Sequence, residues 1–80
     1  MTPQTSAHGP WIADQRGEGR AVRVSTHVEA GFLVMSTWKE ETCVSTVRLL
    51  PDEAALLISG LAQGLSRLSE AQLATVRQAR

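Results

Sequence analysis

The sequence predicts an α+β domain: a three-stranded antiparallel sheet followed by a C-terminal helix packed on one face. Three observations carry this. Period-two alternation sets in at Arg20, residues 42–49 are dense in β-branched Thr and Val, and apolar residues after Pro51 recur at helical spacing. Residues 20–68 form the expected domain, residues 1–19 a flexible N-terminal arm and residues 69–80 a C-terminal helical extension. The arm is rich in Thr, Ser, Gln, Gly and Pro, and Trp11-Ile12 is its one apolar pair, expected to fold back on the domain or on a neighbouring subunit, with a dedicated partner-binding anchor as the alternative.

In the first strand Val22, Val24, Thr26 and Val28 alternate with Arg23, Ser25 and His27. Gly31 ends a three-residue loop, where a left-handed residue is needed. The second strand runs from Phe32 to Lys39, and Glu40-Glu41 turns the chain into the third, from about Thr42 to Leu49. A three-residue first loop pairs Val28 with Phe32 and puts Val22, Val24, Val28, Phe32, Val34 and Trp38 on the inner face. The two-residue turn then sets Trp38 against Cys43, Val34 against Val47 and Phe32 against Leu49. A two-residue first loop would instead group Leu33 and Met35 with Val22 and Val24, leaving Phe32 and Trp38 exposed, and is disfavoured for that reason.

Pro51 suits the first helical turn, and Asp52 and Glu53 suit its positive dipole end. Ala54, Leu57, Ile58, Leu61, Leu65 and Leu68 form an apolar stripe. Gly60 and Gly64 lie on an adjacent side, each costing about 1 kcal/mol relative to Ala, and mark a candidate dimer contact. Ser69 and Gln72 resemble a capping box, after which the chain either starts a second short helix or continues the first, fraying over residues 77–80.

Eighty residues with eight basic and eight acidic side chains carry no net charge, so no strong overall field selects a partner. A chain this short buries roughly 60% of its unfolded surface. Its single cysteine, Cys43, excludes an internal disulfide framework, which leaves homodimer formation as the expected source of extra stability. No secretory signal or apolar run of membrane-spanning length is present, so a soluble cytoplasmic protein with no membrane role is expected.

Chemistry finds little support. The chain has no Gly-rich phosphate loop, HExxH or GxSxG, so no catalytic residue, metal site or cofactor is expected. Cys43 reads as a small hydrophobe, Glu40 and Glu41 as a solvated turn, and His27 faces away from Cys43. The outer face is the candidate binding surface. Arg23, His27, Lys39 and Arg48 surround an apolar centre of Leu33, Met35 and Val44, with no carboxylate and no outward aromatic. Such a face fits a second subunit or other protein, or a single-stranded nucleic acid with phosphates on the basic rim.

The segments Arg20-Ala-Val-Arg-Val-Ser-Thr-His27, Phe32-Leu-Val-Met-Ser-Thr-Trp38 and Cys43-Val-Ser-Thr-Val-Arg-Leu49 resemble small uncharacterised actinobacterial proteins over about half of the chain. More loosely, strands followed by one C-terminal helix resemble the positive-cofactor-four type of transcription coactivator. That resemblance implies a homodimer, partly helix-mediated, binding single-stranded DNA on its sheets. The chain departs from it in having three clear strands where that family has four, and in lacking a lysine-rich arm and outward aromatics. The run Thr46-Val-Arg-Leu-Leu-Pro-Asp-Glu before two helical segments also resembles a ribbon-helix-helix repressor, which would leave residues 20–39 unexplained.

The first expectation is a small non-enzymatic regulatory module that binds protein as a dimer. Single-stranded nucleic-acid binding is the alternative, and a ribbon-helix-helix-like DNA-binding regulator comes third.

Overall fold

The structure, a computed structural model, describes residues 6–78. It is α+β, with one antiparallel sheet of five strands and one C-terminal helix. The strands are β1 (Ser6–His8), β2 (Ile12–Ala13), β3 (Arg20–His27), β4 (Phe32–Lys39) and β5 (Thr42–Leu49), followed by α1 (Pro51–Gln78). The order is β1-β3-β4-β5, with β2 on the same side of β3 as β1. One edge of the sheet is thus an interrupted strand. Ser6 pairs with His27 and Ile12 with Val22, and the Gly9 N–H bridges the break by donating to the Val24 carbonyl at 2.7 Å.

The three-strand expectation is corrected here. Residues 6–8 and 12–13 of the expected arm are sheet edge, while residues 1–5 lie outside the described residues. Such short strands carry no periodicity of their own; pairing with β3 defines them.

The β3–β4 register is also corrected. His27, not Val28, pairs with Phe32, and the loop holds residues 28–31. The Gly31 N–H donates to the His27 carbonyl at 2.9 Å, and Gly31 has φ +78°, the left-handed conformation expected of it. Trp38 does pair with Cys43, but a bulge follows. From Thr37↔Ser45 onward Val34 meets Arg48 and Leu33 meets Leu49, so Val44 is the extra residue.

Because side chains alternate with period two, one slip exchanges the faces of a strand. One face carries Ile12, Val22, Val24, Leu33, Met35, Val47 and Leu49. The other carries Arg23, Ser25, His27, Phe32, Val34, Ser36, Trp38, Cys43 and Arg48.

The helix is continuous to Gln78, so neither a second helix nor the break of a ribbon-helix-helix occurs within it. It starts as expected: the Leu50 N–H donates to Glu53 Oε1 at 2.9 Å, half of a capping box. The expectation that it packs on a sheet face fails. Its only contacts with the sheet are with β4 and β5, and Leu61, Leu65 and Leu68 remain over 60% exposed. Only Leu50 separates β5 from α1, and a residue before proline favours extended backbone, which directs the helix onward from the end of β5. The helix therefore projects. At about 1.5 Å per residue it adds roughly 42 Å to the sheet, and the long axis of the molecule measures 63 Å.

Burial is inverted in consequence. Ser25 and Ser36 are the buried side chains, and no apolar side chain among the described residues is buried. No helix of the structure is long and apolar enough to cross a membrane.

Candidate binding face

The face formed by the even-numbered residues of β4 is built around hydroxyl groups. Ser36 is positioned by β4 between Arg23 on β3 and Thr46 on β5. Its hydroxyl donates to the Arg23 carbonyl at 3.2 Å and accepts from the Trp38 indole N–H at 2.8 Å. That chain of bonds lays the Trp38 ring along the sheet. Beside it, His8 Nδ1 and Ser25 Oγ are hydrogen-bonded at 2.9 Å, tying β1 to the same face.

Two ring-and-arginine clusters flank this polar centre. At one end the rings of Trp11 and Trp38 meet edge to face, 5.3 Å between centroids, and the Arg23 guanidinium lies 4.5 Å over Trp11. At the other, Phe32 stands 5.2 Å from the His27 ring, with the Arg48 guanidinium 5.1 Å from its centroid. Trp38 and Phe32 are six residues apart on one strand, which spans roughly 20 Å. All three Trp and Phe rings of the chain and both of its histidines gather here. No carboxylate lies on this face of β3, β4 or β5. Arg23 Nε is buried and has no hydrogen-bond partner among the described residues, and the same holds for Arg20 Nε.

The expected binding residues are divided between the faces. Arg23, His27 and Arg48 lie on the ring-bearing face, whereas Leu33, Met35 and Lys39 lie on the opposite one. Val44, at the bulge, lines a groove of about 560 Å³ with Ile12, Arg20, Val22, Thr37 and Lys39 of that face, and Ala21 and Trp38 of the other also border it. The expectation of no outward aromatic is overturned by the same register. Sequence reasoning missed Phe32, Trp38 and His8 and held Trp11 as a binding anchor only in second place; the signal was present in the shorter-loop alternative, which groups Val22 and Val24 with Leu33 and Met35.

His27 and Cys43 share a face but stand at opposite ends of the strands, so distance, not orientation, separates them. Cys43 is exposed, its thiol donating to the Ser45 carbonyl at 3.6 Å. Among the described residues no three His, Cys, Asp or Glu side chains gather as a metal site. Around Gly60 and Gly64 nothing approaches within 4 Å of where a Cβ would stand, so within the chain neither serves close packing.

The β2–β3 turn, whose Asp14 and Arg16 line the groove, holds the shorter of the two ion pairs among the described residues. Asp14 accepts from the Arg16 amide at 2.8 Å and from its guanidinium at 2.7 Å, and these bonds hold its carboxyl at about 2, down from 3.8. The pair keeps Asp14 engaged within the turn.

No family model matches the chain, and no curated protein or solved structure is significantly similar to it.

Proposed function

We propose that the protein is a small non-enzymatic binding module that works as a homodimer and receives a single-stranded nucleic acid on the face carrying Trp11, Trp38 and Phe32. The observation that supports this best is the gathering of every Trp and Phe ring with Arg23 and Arg48 on one acid-free sheet face. Bases stack on exposed rings without regard to sequence, and guanidinium groups neutralise the phosphates between them. Trp11 is 53% exposed, and the Arg23 guanidinium over its ring sets a cation beside the surface a base would use. Net neutrality is no obstacle, because Glu29, Glu40 and Glu41 lie in the loops and Asp52 and Glu53 at the helix start, off this face.

A labelled single-stranded oligonucleotide titrated with the protein tests the reading by fluorescence anisotropy. Binding should be micromolar or tighter at low salt and weaken steeply as salt rises. Absence of any anisotropy change at low salt would reject the nucleic-acid reading. Regulation through a protein partner would then be the reading to pursue on the same face.

A further inference from the structure

From the uncovered surfaces we infer that two copies exchange helices: α1 of each lies along the apolar sheet face of the other. This gives the homodimer proposed above a specific form, and it rests on that dimer but not on nucleic-acid binding. The chain exposes 6753 Å². A compact monomer of 8.6 kDa exposes roughly 4,700 Å². The excess is roughly 2,000 Å² per chain, while a standard interface takes about 800 Å² from each partner and permanent homodimers take more. The radius of gyration agrees, 16.9 Å against roughly 12 Å for a compact chain of this length.

Two apolar surfaces need cover. One is the stripe Ala54, Ile58, Leu61, Leu65 and Leu68 on the projecting helix, which carries no charged residue. The other is the sheet face of Val22, Val24, Leu33, Met35 and Val47 with its adjoining groove. Their lengths match: the stripe runs roughly 21 Å and an eight-residue strand roughly 26 Å. The single-residue link at Leu50 directs the helix away from its own sheet, and a twofold axis near Pro51 would bring each helix over the other sheet. Helix-to-helix pairing along the stripe would bury the leucines yet leave both sheets bare. Exchange buries both surfaces and leaves the face with Trp11 and Phe32 free.

Counting from that axis, helix and strand rises put the partner's Ile58 near Met35 and the partner's Leu65 at the groove. Single-cysteine variants Met35→Cys and Ile58→Cys, each also carrying Cys43→Ser, test this by mixing and mild oxidation. Light scattering on the unmodified protein should give twice the 8.6 kDa chain mass. The mixture should yield the mixed disulfide as its main covalent dimer, severalfold above either self-linked species. A monomer by light scattering would overturn both the dimer and the exchange. A dimer in which Ile58→Cys links chiefly to itself would overturn the exchange alone, leaving the dimer with paired helices. A doubly substituted chain that closes its own disulfide as a monomer would show that the helix folds back, and would overturn the exchange too.

Discussion

The Arg23 guanidinium lies 4.5 Å over the Trp11 ring, so a residue from the irregular N-terminal segment is fixed by a cation from the middle of β3. Trp11 thereby becomes part of the sheet surface although it belongs to no strand. It is half exposed, and its removal should cost binding far more than folding. Stacking of a base on a ring contributes about 1–3 kcal/mol by alanine substitution, so Trp11→Ala should weaken oligonucleotide binding by roughly 5- to 150-fold. Anisotropy titration reads this, and an unchanged Kd would remove Trp11 from the site.

Arg23 and Arg48 should act through phosphate. Each contact to a single strand contributes about 0.7 to the slope of log K against log salt. Arg23→Ala and Arg48→Ala should therefore each flatten the slope by roughly that amount, and the double variant by roughly twice as much. Lys39 has the same charge but lies on the opposite face, so Lys39→Ala should leave the slope unchanged. Equal effects at all three positions would point to diffuse attraction in place of a defined face.

Gly19 and Glu40 join two turns. The Glu40 N–H donates to the Gly19 carbonyl at 2.7 Å, and a Cβ on Gly19 would stand 2.8 Å from Glu40 Cγ. Both residues have positive φ. Gly31 has positive φ as well, but open space where a Cβ would go. Gly31→Ala should lose about 1–2 kcal/mol from backbone conformation alone. Gly19→Ala should lose more, and Glu40→Ala should relieve the difference in a double-mutant cycle of denaturant midpoints at fixed protein concentration. A cycle without coupling would show that the side chain moves aside at no cost.

Much of the fold was legible because β3, β4 and β5 announce themselves by alternation and α1 by Pro51 and its periodic leucines. Face assignment was not legible, for two local reasons. Val28 reads as the last apolar residue of a strand but lies in the loop, 69% exposed, and Val44 is an extra residue in β5. Each shifts pairing by one, and one step is enough to move a tryptophan from one face of the sheet to the other. Minimising exposed aromatics selected the wrong loop length. Neither face of the sheet is covered, so Phe32 and Trp38 stay half-buried on theirs, and burial of rings could not discriminate between the registers.

Asp14 provides a test of the turn that carries Arg16 and leads into β3. The Arg16 side chain and amide hydrogen bonds lower its carboxyl to about 2 from 3.8. A carboxyl depressed in the folded state stabilises that state at pH values above 3.8 and loses its contribution as pH falls through about 2. Carbon-detected NMR of the side-chain carboxyl should give a midpoint near 2. Asp14→Asn keeps an acceptor for the Arg16 amide but not the charge, so the variant should lose less stability than the parent across the same acid range. A carboxyl titrating at 3.8 in the folded protein would mean that the Arg16 pair does not persist in solution. The turn would then be held by its backbone bonds alone, from the Gly17 N–H to the Asp14 carbonyl and from the Asp14 N–H to the Arg20 carbonyl, both 2.9 Å.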